Sequence, residues 1–207
     1  MNISKIELQQ IGKRFGQQWL FKNFDAAFVQ GKTYAITGNN GSGKSTLLQL
    51  MYGYQSPTKG NIKALFDNQL ECPKANIHQY SAFVSPFLDL PDELTLSELL
   101  QFHFSFKPKT NEISIEEMIA SLWLTESEHK KIKHFSSGMK QRVKLALAFY
   151  ADVNVLFLDE PTSNLDAKGI AWYKETLQSL RANKLVLIAS NQTFEYDFAD
   201  EVIAISS

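Results

Sequence analysis

Hydrophobic positions change their spacing along the chain. At the start, Ile3, Ile6, Leu8 and Ile11 stand in a partly alternating order that predicts an extended segment. Phe24-Asp25-Ala26-Ala27-Phe28-Val29 predicts a second strand, turned by Gln30-Gly31. The two together read as an antiparallel flap ahead of the main core. Thr33-Tyr34-Ala35-Ile36-Thr37 is a short β-prone run, and Thr46 to Tyr52 carries helix-forming residues that stop at Gly53. Ser56 to Gly60 reads as a loop, and Asn61 to Phe66 as a further strand.

From about Ser85 the pattern becomes helical. Pro86 and Pro91 bracket a loop. Thr95-Leu96-Ser97-Glu98 has the form of a capping box and opens a helix through Phe104. Pro108 and Asn111 interrupt it, and Ser114-Ile115-Glu116-Glu117 is a second capping box. Behind it Ile115, Met118, Ile119 and Leu122 share one helical face. Residues of about 87–145 therefore read as a helical subdomain within one domain spanning 1–207. Its aromatic residues, Phe102, Phe104, Phe106 and Trp123, are expected in the core, with a docking surface as the alternative. Then α/β alternation returns. Met139 to Tyr150 is helical, and Ile170, Tyr173, Leu177 and Leu180 face one way on a later helix. Val155-Leu156-Phe157-Leu158 and Leu185 to Ala189 are continuous apolar runs, as buried parallel strands require, and Val202 to Ile205 is expected to be a last one.

Between the third strand and its helix lies Gly38-Asn39-Asn40-Gly41-Ser42-Gly43-Lys44-Ser45-Thr46. It matches the P-loop template at every fixed position and has the strand–loop–helix context that the motif needs. Glycines let a backbone approach a phosphate closely, and successive N–H groups then form an anion nest. The helix that starts near Lys44 adds its positive end. Lys44 adds a charge for the β- and γ-phosphates, and the Ser45 hydroxyl can ligate Mg²⁺. Asp159 ends an apolar strand at the carboxyl edge of a parallel sheet, where it can hold Mg²⁺ directly or through water. Glu160, next in the chain, can face a water beyond the γ-phosphate and deprotonate it.

Composition narrows the partners. The 207 residues are 44% hydrophobic, with 15 Phe, which is enough for a core. A net charge of −1 without a long basic block makes nucleic acid an unexpected main partner. Cys72 is the one cysteine, so no intrachain disulfide can form, which suits a reducing compartment. Met1 to Lys5 lacks an apolar signal core, and no apolar run of about 18 residues appears.

Two further stretches carry a family resemblance. Asp159-Glu160-Pro161-Thr162-Ser163-Asn164-Leu165-Asp166 resembles the Walker B and D-loop of ATP-binding cassette (ABC) ATPases. Phe135-Ser136-Ser137-Gly138-Met139-Lys140-Gln141-Arg142 resembles their signature, usually LSGGQ followed by a Q-R pair. The likeness covers nearly the whole chain. It implies the ABC ATPase fold: an α/β P-loop core with a mostly parallel sheet, an N-terminal antiparallel β flap and an inserted helical subdomain. It implies ATP and Mg²⁺ as ligands, ATP hydrolysis coupled to transport, and an integral membrane permease as partner. It places the chain in the cytoplasm, on the inner face of the cell membrane. In the family two cassettes pair head to tail, so a homodimer with ATP is implied, in which the signature residues Ser136, Ser137 and Gly138 of one chain close on the γ-phosphate of the other; the D-loop Asp166 is implied as a further nucleotide-binding residue. Phe15 stands where the family has an aromatic that stacks on adenine; the sequence alone would also allow a core Phe, and Trp19 is a lesser candidate.

This chain departs from the family in two sensors. The glutamine-loop residue falls near Pro86, with Ser85 beside it and Gln79 too early. The switch histidine is replaced in Ala189-Ser190-Asn191-Gln192. Asn191 can donate a hydrogen bond to a γ-phosphate oxygen but cannot titrate. The signature also has Ser137 for its usual first glycine and Met139 for its glutamine. These changes bear on rate more than on reaction. Competing readings are a cassette that clamps ribosomes or DNA, and a regulatory module that holds ATP and barely hydrolyses it.

Overall fold

Alternation in the first thirty residues resolves into two long strands, β1 (Ile3–Phe15) and β2 (Gln18–Val29), paired antiparallel with Phe15 opposite Gln18 at the hairpin end. The computed structural model describes residues 1–110 and 113–205; Asn111, read above as a helix breaker, lies outside the described residues. β3 (Thr33–Thr37) leads through the glycine loop into α1 (Lys44–Tyr52). β4 (Lys59–Phe66) pairs with the other side of β1 and with the short β5 (Glu71–Cys72). Lys59 and Gly60, expected in a loop, thus already belong to the strand. After α2 (Ile77–Tyr80) come β6 (Ser81–Val84), β7 (Val155–Asp159), β8 (Leu185–Ala189) and β9 (Glu201–Ala204).

These strands form two sheets. One is antiparallel, in the order β2-β1-β4-β5; the other runs β6-β7-β8-β3-β9, with β7, β8, β3 and β9 parallel. Every residue of β7 and β8 is buried, which is why their sequences are apolar throughout. The expectation of a buried final strand is corrected. Among the described residues β9 is an edge that pairs only with β3, which leaves Val202 60% exposed.

Contacts divide the chain into two units. The first holds Met1–Phe83, Val153–Glu160 and the segment from Leu180 onward; the second holds Val84–Asp152 and Pro161–Ser179. The second unit is helical: α3 (Leu96–Phe106), α4 (Ile115–Ser121), α5 (Ser137–Phe149) and most of α6 (Ala167–Leu180). Both capping boxes close in each direction. Thr95 Oγ1 accepts from Glu98 N at 3.2 Å, and Glu98 Oε2 accepts from Thr95 N at 2.8 Å. Ser114 and Glu117 repeat the exchange at 3.1 and 2.8 Å. The Thr95 backbone N–H and then its hydroxyl hold the Glu98 carboxyl below its ordinary value.

The expectation that the subdomain aromatics form its core is also corrected. Leu96, Leu99 and Leu100 take the buried face of α3, so Phe102 and Phe106 point outward, 55% and 77% exposed, with their rings 5.1 Å apart. Phe104 is half-buried and Trp123 is exposed. Burial on α6 falls on Gly169, Trp172, Tyr173 and Leu177, a face slightly rotated from the expected one. Phe149 of α5 packs its ring against Trp172 and Tyr173 at 6.0 and 6.1 Å.

In the first unit Asn154 clamps the start of β1. Its Nδ2 donates to Ile3 O at 2.7 Å and its Oδ1 accepts from Ile3 N at 3.2 Å, both buried. Asn154→Ala removes both bonds and leaves two backbone groups unpaired. It should lower unfolding stability by about 3 kcal/mol in a urea titration; a loss below about 0.5 kcal/mol would mean that water replaces the clamp.

Candidate nucleotide site

Each unit carries one cavity lined by the motif residues. In the first unit β3 ends at Thr37, and the loop from Gly38 turns the chain into α1. Ser42 N donates to Asn39 O at 3.0 Å, and Gly43 caps the helix at φ 103°. That conformation is left-handed, and a Cβ there would stand 2.7 Å from Leu20 Cδ2 and 2.8 Å from the Phe21 ring. Glycine is therefore required by backbone and by space. The N–H groups of Lys44, Ser45 and Thr46, in the first turn of α1, have no acceptor within the helix. Lys44 curls back, and its Nζ donates to Gly38 O at 2.8 Å and Asn39 O at 3.2 Å. Ser42 Oγ is buried and has no hydrogen-bond partner among the described residues.

A cleft of about 320 Å³ opens over this loop. It is lined by Phe15, Leu20, Asn40, Gly41, Gly43, Lys44, Ser45, Thr46 and Glu160. Beneath it the Ser45 hydroxyl donates to Asp159 Oδ1 at 2.8 Å. Asp159 is 2% exposed at the end of β7. Glu160 has φ 44°, uncommon for a residue with a side chain, and its N–H is held by Ala189 O at 2.9 Å. That backbone turn sends its side chain into the cleft while Asp159 stays below. Asn191, just beyond β8, donates from Nδ2 to Asn40 Oδ1 at 2.6 Å, so the switch position rests on the glycine loop.

Phe15 is 55% exposed at the hairpin end, which removes the alternative of a core phenylalanine. Trp19 does not line the cleft; its ring lies under Arg14 at 5.7 Å and Lys22 at 5.0 Å. Sequence reasoning missed Leu20, which forms the apolar wall beside Gly43. Its only signal was the need for something to fill the space that a glycine leaves.

The second cavity, about 250 Å³, is lined by Ser136, Ser137, Gly138, Met139, Arg142, Asn164, Leu165 and Asp166. Ser136 caps α5, its Oγ accepting from Met139 N at 3.3 Å. The D-loop folds tightly against this helix. A Cβ on Gly138 would meet Asn164 O at 2.7 Å, and buried Gln141 donates from Nε2 to Pro161 O at 2.8 Å. Asp166 Oδ1 accepts from Gly169 N at 2.8 Å, so part of its capacity is used in starting α6. Around the cavity, Trp123 lies under Lys168 at 3.8 Å and Arg142 at 5.3 Å. At the altered glutamine loop, Ser85 is buried and its Oγ accepts from Phe87 N at 3.3 Å. Lys144 Nζ holds the Ser85 and Pro86 carbonyls at 3.2 and 3.0 Å, and burial lowers its pKa.

A glycine loop between a buried parallel strand and a helix, with an aspartate under it from another parallel strand of the same sheet, defines an α/β protein of the P-loop nucleoside-triphosphatase class. A family model described as "ABC transporter" matches residues 21–163, and the chain belongs to that family. It is 27% identical over 191 residues to the lantibiotic transport ATP-binding protein SrtF of Streptococcus pyogenes, covering 90% of this chain and 79% of SrtF. It is 32% identical over 203 residues to the ribosome protection protein VmlR of Bacillus subtilis (strain 168), covering 98% of this chain but 34% of VmlR. An ATP-binding cassette solved as a dimer in a post-hydrolysis state with ADP and Pi superposes with a TM-score of 0.81 at 22% identity, covering 97% and 94% of the two chains. The fold is that of an ABC ATPase.

The contact at Gly138 is testable without nucleotide. Gly138→Ala forces the Asn164 carbonyl to move, so it should lower stability by about 1–3 kcal/mol and open Pro161 to Asp166 to protease. An unchanged melting temperature and digestion pattern would show that the turn has room to spare.

Proposed function

We propose that the chain binds MgATP, hydrolyses it, and energises transport through a separate membrane permease. The observation that carries this reading is the Ser45–Asp159 hydrogen bond under a cleft that also contains Lys44 and Glu160. Residue chemistry fits the ligands. The orphaned Ser42 Oγ, the free N–H groups of α1 and Lys44 suit phosphate oxygens. Ser45 and Asp159 offer the one or two hard oxygen ligands that Mg²⁺ takes from protein when phosphates and water supply the rest. When bound, Mg²⁺ neutralises charge building on the phosphates.

The roles follow from position. Gly38 to Thr46 cradles the phosphates, and Lys44 exchanges its loop carbonyls for phosphate oxygens. Phe15 stacks on the base. Glu160 accepts the proton of the attacking water. Asn191 orients a γ-phosphate oxygen by a neutral hydrogen bond, so it adds no positive charge and no titration near neutral pH. Ser136, Ser137, Gly138 and Asp166 serve a second copy of the chain in a head-to-tail homodimer that closes on ATP and reopens after hydrolysis. In this reading the permease is a separate chain, and this one works on the cytoplasmic face beside it; no helix of the described residues is long and apolar enough to cross a membrane.

Purified protein should release phosphate from ATP, and Glu160→Gln should lower the rate by about 100-fold or more, within the range of general-base contributions. Equal rates would remove Glu160 from the chemistry and favour a module that holds ATP without turnover, the reading supported by Ser85-Pro86 and Asn191 at the sensor positions. Asn191→His should raise turnover, measured under the same conditions; no rise would show that Asn191 does not limit it. A ribosome-acting reading draws on the likeness to VmlR. Capture of a permease in mild detergent supports the transport reading, and sedimentation with ribosomes supports the other.

A further inference from the structure

Phe15 ends β1 beside a tight turn, more than half exposed, a position where a ring would swing freely unless something held it. Two residues earlier on the same strand, Lys13 places its Nζ 5.1 Å from the Phe15 ring centroid. The same Nζ donates to Ser56 O at 3.0 Å. The Ser56 turn is itself tied to the strand: Arg14 N donates to Thr58 Oγ1 at 3.2 Å and Thr58 N to Gly12 O at 2.9 Å. The lysine is thus anchored at one end by backbone and lies over the ring at the other. Lys13 does not line the cleft, whereas Phe15 does.

A cation over one face of an aromatic ring is attracted to its π-density and draws that density toward itself. The opposite face becomes less electron-rich, and the π-density of a purine meets less repulsion when it stacks there. We infer that Lys13 is a positioning residue for the nucleobase: anchored on Ser56, it fixes the plane of Phe15 and prepares its cleft-side face for a purine. A direct phosphate role is not its part, because its nitrogen is engaged by the ring and the Ser56 carbonyl outside the cleft. The inference rests on the reading that this cleft binds ATP with Phe15 against the base.

The test measures affinity of the full chain for MgATP and, by competition, for inorganic tripolyphosphate, which has the phosphates without the base. Phe15→Ala should weaken ATP by about tenfold, as loss of a stacked base does, and leave tripolyphosphate unchanged. Lys13→Met should weaken ATP by about two- to fivefold, again with tripolyphosphate unchanged, and Lys13→Arg should restore the parent value. Tripolyphosphate binding also verifies that each variant is folded. If Lys13→Met weakens both ligands equally, Lys13 acts on the phosphates and the inference is overturned. If Lys13→Met binds ATP like the parent while Phe15→Ala does not, stacking stands and the role of Lys13 falls. If Phe15→Ala binds ATP normally, the stacking reading fails and takes the inference with it.

Discussion

The hydrogen bond from Ser45 to Asp159 joins residues 114 positions apart in sequence, and the first unit is arranged so that it can form. Ser45 stands in the first turn of the helix that follows β3; Asp159 ends β7. Only β8 separates the two strands, and all three run in one direction. Parallel pairing brings their carboxyl ends to one edge, where a helix start and a strand-end carboxylate can meet. Burial of these strands on both faces fixes the register, since a slip would carry polar loop residues into an apolar layer. The hydroxyl and the carboxylate are therefore held in place by the sheet rather than by their own modest bond.

Glu160 depends on the same arrangement. Its left-handed backbone would be unfavourable in isolation, but Ala189 O holds its N–H from the end of β8. One strand thus supplies both the spacing between Ser45 and Asp159 and the clamp that turns the next carboxylate toward the cleft. Asn191 follows from that same strand and reaches Asn40. Loop, carboxylates and switch position are three outputs of one parallel layer.

Sequence reasoning reached the parts whose signal is local. The glycine loop is legible because its backbone conformation restricts which residues fit, and the capping boxes because each is closed within four residues. Buried parallel strands are legible as apolar runs. What failed depends on neighbours that the local pattern does not name. Val202 to Ile205 has the composition of a buried strand, but whether a strand has one partner or two is a property of the sheet. Phe102 and Phe106 are as apolar as core residues, yet three leucines already fill the face of α3 that the core accepts. The site shows the same divide: Phe15 and Glu160 were found by motif, while Leu20, across from Gly43, was not.

The closeness of Gly138 to the Asn164 carbonyl has a consequence for how substitutions in the second cavity are read. That glycine is required by the packing of one chain against itself, before any ligand or second copy is considered. Tolerance at position 138 is therefore a poor gauge of phosphate recognition, since any added Cβ must first displace the Asn164 carbonyl. Ser136 and Ser137 are exposed, although the Ser136 hydroxyl also caps α5. A substitution survey that seeks the chemical contribution of this motif should weigh the two serines and discount the glycine.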